Sequence, residues 1–194
     1  MLTDQELVTL FKQGDVEALG LLMERHKAAV YGYLLRLTAR PDAAEDIFQE
    51  VWLKLVRRPG AYSEREKFRA WLFTVARNAA MDHFRRESSR GAMFAAESGA
   101  AYGEGGPPPG ALETAVSPEP GPQETLENKV LAETISAAME RLSPDQREVF
   151  YLRHYSELSF REIAGMLGVP IGTVLARMSR AAALLRKELQ KGVQ

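Results

Sequence analysis

Residues 142–189 read LSPDQREVFYLRHYSELSFREIAGMLGVPIGTVLARMSRAAALLRKEL, and this stretch decides the fold. It contains two helix-start signals. Ser143-Pro144-Asp145-Gln146 offers a capping hydroxyl, a proline at the first helical position and an amide three residues on that can reach back to the cap. Ser159-Phe160-Arg161-Glu162 repeats the grammar ahead of a short helix through Leu167. Gly168-Val169-Pro170 then reads as a tight turn. Beyond it Ile171, Val174, Met178, Ala182, Leu185 and Leu189 recur at helical spacing as the inner stripe of a final helix, with Thr173, Arg177, Arg180, Lys187 and Lys191 outside. A short helix, a glycine-containing turn and a second helix with basic residues on its open face describe a helix-turn-helix, Ser159 to Leu189, whose second helix fits a DNA major groove. Arg177 and Arg180 lie one turn apart on it, placed for base edges or phosphates, while Ile171, Val174 and Met178 hold the helix to its support. Cations on an exposed helical face are by themselves only solvated; the preceding turn and helix carry the reading.

Working outward, Leu126 to Leu142 reads as one helix, and before it the character of the chain changes. Residues 91–128 hold six of the ten prolines, six Glu and no Lys or Arg. Such a segment buries too little apolar surface to offset the entropy of ordering it and is expected to be a flexible linker. It divides the chain into residues 1–90 and 129–194.

The first of these reads as helices throughout, with no β-type alternation. Thr3 and Glu6 form a capping box ahead of Leu7, Leu10 and Phe11. After Gly14, Leu19, Leu22, Met23, His26, Val30, Tyr33, Leu34 and Leu37 form one apolar stripe, broken by Pro41. His26 has no partner nearby in the sequence and reads as a core histidine. From Asp42 to Val56 a third helix sets Ala44, Ile47, Phe48, Val51, Trp52 and Leu55 on one side and Asp42, Glu45, Asp46, Gln49 and Glu50 on the other. Ser63 and Glu66 start a fourth helix, running to about Arg86, with Phe68, Trp71, Leu72, Val75, Ala76 and Ala79 inward. The fold class is therefore all-α, two small helical domains joined by a linker.

Composition narrows the function. The net charge of −1 hides a local division. From Glu64 to Arg90 seven bases face four acids, and from Phe160 to Gln194 six bases face two acids. Two basic segments flanking an acidic one suit nucleic-acid binding, whose electrostatic footprint is local. With no Cys, and only His26, His83 and His154, no metal site, cofactor site or thiol chemistry is indicated. No phosphate-cradling glycine loop or activated nucleophile is present, which argues against an enzyme. The first residues lack a signal-peptide pattern, and no run approaches the ~20 apolar residues that span a bilayer, so a cytoplasmic protein without membrane insertion is expected.

Residues 142–189 resemble region 4 of bacterial RNA polymerase sigma factors. DAAEDIFQEVWLKL, from Asp42, and FRAWLFTVARNAAMDHFRRE, from Phe68, resemble region 2 of the same proteins in the same order. The absence of an intervening region 3 domain matches the small extracytoplasmic-function class. The resemblance implies a subunit with no active site of its own that directs core polymerase to promoter DNA. Asp46, Gln49 and Glu50 match positions that grip the clamp helices of the largest polymerase subunit; without the resemblance, the row is a solvated face. The flap of the second-largest subunit and an anti-sigma factor are further implied partners. By the same likeness the acidic linker would follow the catalytic channel and RNA exit path.

The resemblance further implies that the segment from Phe68 to Arg86 takes up the −10 element as single-stranded DNA, which calls for cations and flat rings. Arg69, Arg77, Arg85 and Arg86 suit a phosphate backbone and Asn78 a base edge. His83 and Phe84 are candidates for stacking, while Phe73, like them, stays open between core and base contact. In region 4, Arg153, Arg177, Ser179 and Arg180 match positions that contact the −35 duplex, and Thr173, Leu175 and Ala176 share that surface. Here the chain departs from the usual V-K-S-R or V-R-S-R with Val174-Leu175-Ala176-Arg177, and Ala181 to Ala183 replace another commonly basic stretch. Leu175 and Ala176 offer only apolar contact, so an unusual −35 preference or heavier reliance on region 2 is expected. The alternative class is a stand-alone activator using only the helix-turn-helix; the acidic row of the third helix separates the two.

Overall fold

Thr3 begins the structure as its sequence suggests. Its hydroxyl accepts from the Glu6 amide and its own amide donates to the Glu6 carboxylate at 2.6 Å, closing the capping box of α1, Asp4–Lys12. The computed structural model describes residues 2–63, 67–98 and 134–192, which fall into two compact units, one within residues 1–112 and the other within 113–194. In the first, Asp15 caps α2, Val16–Thr38, by accepting from the amides of Glu17 and Ala18. Ala39 closes α2 in the left-handed region at φ 56°, and Pro41 occupies the first position of α3, Pro41–Arg57. A short 3-10 turn, Pro59–Ala61, leads towards α4, Phe68–Ser98. Ser63, expected to cap this helix, lies too far upstream: the first helical bond runs from the Trp71 amide to the Lys67 carbonyl, so α4 begins four residues later than the Ser63–Glu66 pattern places it, and Glu66 itself lies outside the described residues.

Helix α4 packs on α1, α2 and α3. Contact with several neighbours makes its buried arc wider than the single stripe expected. Phe68, Leu72, Ala76 and Ala79 are buried as anticipated, but so are Ala80 and Phe73, whose ring lies 5.5 Å from that of Tyr33. Phe73, left open between core and base contact, is therefore core. Trp71 and Val75, assigned inward, sit half-buried at the edge of the arc. The helix also runs well past Arg86, taking in residues 91–98 of the expected linker; Ala92, Met93, Ala95 and Ala96 favour helix, and no proline intervenes before Pro107. The rest of that segment, and residues 126–133 of the helix expected from Leu126, lie outside the described residues.

His26 is core as expected, 2% exposed, but its partner comes from far along the chain. Nε2 lies 2.8 Å from Oδ2 of Asp4 on α1, while Arg25 donates to the other oxygen at 2.6 Å. Burial opposes ionisation of Asp4, yet the hydrogen bonds and charge of His26 and Arg25 outweigh it and hold the carboxyl below its ordinary value.

In the second unit a helix over residues 134–140, α5, is followed by α6, Pro144–Tyr151, a π-turn, Leu152–Ser156, then α7, Phe160–Leu167, and α8, Ile171–Gly192. Both capping boxes form, Ser143 with Gln146 and Ser159 with Glu162. Arg147 is 9% exposed because it donates to the carbonyls of Glu140 and Leu142, capping the C-terminal end of α5. Gly168 ends α7 at φ 66°, a left-handed conformation that lets its amide meet the last carbonyls. The inner face of α8 is carried by Val174, Ala181 and Leu185. Ile171, expected in that stripe, is 43% exposed at the first position of α8, although Val174, three residues on, is fully buried. Ala181, expected to thin a basic surface, is instead fully buried and serves packing.

Candidate nucleic-acid and partner interfaces

On α3, burial of Ala44, Ile47 and Val51 turns Asp42, Glu45, Asp46 and Gln49 to solvent. Gln49 donates to Glu45 at 3.0 Å, while Asp46 has no ion pair among the described residues. Glu50 is half-buried between Lys54, at 3.2 Å, and Arg86, at 3.4 Å. Burial would raise its carboxyl, but hydrogen bonds and charge from these two cations prevail, holding it below the usual carboxylate range. The row is thus anionic at neutral pH, and one end of it touches the basic helix.

The candidates for single-stranded DNA all lie on α4. Arg77 and Phe84, seven residues apart, share one side and Asn78 and Arg85 the adjoining one. Arg69, Arg77 and Phe84 are half-buried; Asn78, Arg85 and Arg86 are exposed. His83 faces Glu87 at 3.5 Å and stands edge-on to Phe84, with the ring centroids 6.1 Å apart and the planes 71° to one another. Arg85 pairs with Asp82 at 3.2 Å, and Arg86 donates both to the Asp82 carbonyl and to Glu50. Arg40 clamps the start of α3 to α4, reaching Asp42 and Glu87 at 2.6 Å each.

Sequence reasoning missed one feature here. Lys54, Arg57, Arg58, Ala61, Trp71 and Val75 line a groove with a mainly apolar floor and a cationic rim. A flat ring with a phosphate at its edge fits that chemistry. Its residues come from the end of α3, the 3-10 turn and α4, and only Trp71 and Val75 fall in a segment read for DNA; both had been assigned to core.

In the second unit α8 presents Leu175, 46% exposed, with Ala176, Ser179 and Arg180 also open and Thr173 half-buried. Arg180 has no carboxylate partner among the described residues. Arg177 differs from expectation: its side chain is 22% exposed and ion-paired, through Nη2, to Oδ2 of Asp145 in the first turn of α6. Ser143, Asp145 and Gln146 thereby share a groove with Gly172, Thr173, Ala176, Arg177 and Arg180. Arg153 is likewise engaged, donating to the Leu158 carbonyl at 2.9 Å with its guanidinium 5.5 Å over the Phe160 ring. It braces the connection from α6 to α7. A pattern of single residues along the chain gives no sign of either contact.

Among the described residues no helix is long and apolar enough to cross a membrane. Residues 22–90 match the family model of sigma-70 region 2, and residues 132–185 that of sigma-70 region 4. The RNA polymerase sigma-H factor of Pseudomonas aeruginosa is 31% identical over 189 residues, covering 96% of this chain and 94% of the relative. The ECF RNA polymerase sigma-E factor of Haemophilus influenzae is 28% identical over 97% of this chain and 96% of its own length. Among solved structures, the sigma factor RpoE from Bartonella quintana, crystallised with the anti-sigma factor NepR, superposes with a TM-score of 0.65 at 24% identity over 90% of this chain and 98% of that one.

Proposed function

This chain belongs to the sigma-70 family, in its ECF class, as a sigma factor that directs RNA polymerase to promoters, and from that premise we propose how its surfaces divide the work. Residues 1–98 dock on polymerase and take up the melted −10 strand; residues 129–194 read the −35 duplex; residues 99–128 join them. Asp46, Gln49 and Glu50 meet the clamp helices, whose basic character an anionic row suits. Arg69, Arg77, Asn78, Arg85 and Arg86 follow the displaced strand, and His83, Phe84 and the groove floored by Trp71 take unstacked bases. Each stacked base is worth ~1–3 kcal/mol, so capture of single-stranded DNA favours the open promoter by differential affinity. In region 4, Arg180 and Ser179 face the duplex, with Leu175 and Ala176 offering apolar contact to thymine methyl groups. Thr173, Arg153 and Arg177 flank them, the last two partly engaged within the protein.

The observation that carries this reading is the adjacency, in one unit, of an anionic row on α3 and the basic face of α4, joined where Arg86 meets Glu50. The factor performs no reaction of its own and works in the cytoplasm, where polymerase is. Relatives are captured with anti-sigma proteins, and we extend that mode of control to this chain. Exchanging Asp46 and Glu50 for Lys together tests the division: association with core polymerase is expected to be lost while the melting temperature holds. Retained association would overturn the assignment of α3.

A further inference from the structure

Two cations on α8 sit one turn apart on the reading face, yet their surroundings differ. Arg180 is exposed and has no carboxylate partner among the described residues, whereas Arg177 is drawn towards the first turn of α6 by Asp145. Asp145 is itself open to solvent, its side chain 60% exposed, and lies in the same groove as Thr173, Ala176 and Arg180. A carboxylate therefore stands inside the surface that meets the DNA, an arrangement that works against simple attraction to phosphate.

We propose that Asp145 is a positioning residue that makes region 4 selective for its −35 sequence; the proposal rests on region 4 reading the −35 duplex. The physics has two parts. A guanidinium held along one edge keeps its remaining N–H groups in a fixed direction, so Arg177 offers a directed donor pair in place of a mobile cation. A free arginine neutralises any phosphate within reach, which adds affinity for every sequence alike. The Asp145 charge also repels the backbone of a duplex seated in the wrong register, where no base edge compensates. Specificity is a difference of affinities, and a repulsive group aimed at the wrong complex raises it even while lowering total binding. This device suits a reading surface where apolar Leu175 and Ala176 leave few polar contacts to discriminate bases.

The test is transcription by holoenzyme, reconstituted with the full chain, from a promoter library randomised across the −35 element. The wild type is expected to enrich a −35 motif; without one, the reading of region 4 itself fails, independently of Asp145. Given that motif, Asp145→Asn is expected to bind non-specific duplex more tightly and to reduce the preference for the best −35 sequence over a scrambled one on the order of tenfold, the scale of one good base contact. Asp145→Glu, which keeps the charge, is expected to restore most of the preference. Arg177→Ala is expected to lose the preference as well, and in that background Asp145→Asn is expected to tighten non-specific duplex binding without lowering the preference further. An unchanged preference in a folded Asp145→Asn protein overturns the proposal, as does a lowered melting temperature with the preference intact, since that marks Asp145 as structural only.

Discussion

Arg86 of α4 and Glu50 of α3, thirty-six residues apart, meet at 3.4 Å between Nη2 and Oε2. The pair joins the end of the surface assigned to polymerase to the end of the surface assigned to DNA. Arg86 is exposed, at 58%, and Glu50 only half-buried, at 38%, so the contact itself adds little stability. Glu50→Gln is accordingly expected to shift the unfolding free energy by no more than ~0.5 kcal/mol. Salt titration of holoenzyme assembly should nevertheless show weakened core affinity for the variant; a large loss of fold stability with normal assembly would reverse the assignment.

Arg153 is expected to act on the fold before it acts on DNA. Arg153→Ala removes a charged hydrogen bond to Leu158 and a cation over Phe160, together worth about 2 kcal/mol, and should lower the unfolding temperature of the full chain. Arg153→Lys keeps the charge without the planar fork, so it should restore non-specific duplex binding better than stability. Calorimetry alongside a binding titration checks the order of effects. Undiminished stability in Arg153→Ala would return the residue to a purely DNA-contacting role.

The Asp4–His26 bond fixes α1 to α2, and deleting its carboxylate leaves a buried ring nitrogen unsatisfied. Asp4→Ala should cost ~1–3 kcal/mol at neutral pH. Because the folded-state pKa of Asp4 is depressed, its contribution is complete above its ordinary value of 3.8 and is lost as pH falls through the lower folded value. Denaturant unfolding of wild type and variant should therefore converge below that pH. A gap that stays constant into strong acid would show that the carboxylate is not the stabilising form.

Leu175 occupies an exposed position where relatives of this family commonly carry a cation. Leu175→Arg should raise the affinity of holoenzyme for −35 duplex and steepen its salt dependence by about one unit of log–log slope, as expected for one added phosphate contact. An unchanged slope would mean that Leu175 lies away from the backbone.

Much of this architecture was legible because its signals are local. Thr3 with Glu6, Ser143 with Gln146 and Ser159 with Glu162 form capping boxes three residues apart, and the 3.6-residue stripes of α2 and α3 identify their buried faces. What could not be read depends on partners distant in sequence. Phe73 is buried because α4 meets several helices, and Ile171 stays open at the first position of α8 while Val174 beside it is buried; periodicity alone does not report how many neighbours a helix has at each position. The same limit hid the site's electrostatics. Nothing near Arg177, Arg153 or Glu50 in sequence announces Asp145, the Leu158 carbonyl or Arg86. The pattern of residues delimits the face proposed for the −35 duplex, but not which of its cations are paired within the protein.

Promoter selection is proposed to belong to the assembled holoenzyme, with the two units as its readers. The most direct measurement is mapping of transcript 5′ ends made from fragmented genomic DNA by core polymerase, with and without the full chain, together with DNA binding by the chain alone. The account predicts discrete start sites only when both are present, preceded by two sequence elements at fixed spacing, and little specific binding of those fragments by the chain without polymerase. Start sites unchanged by the chain, or equally tight and specific binding in the absence of core polymerase, would contradict it.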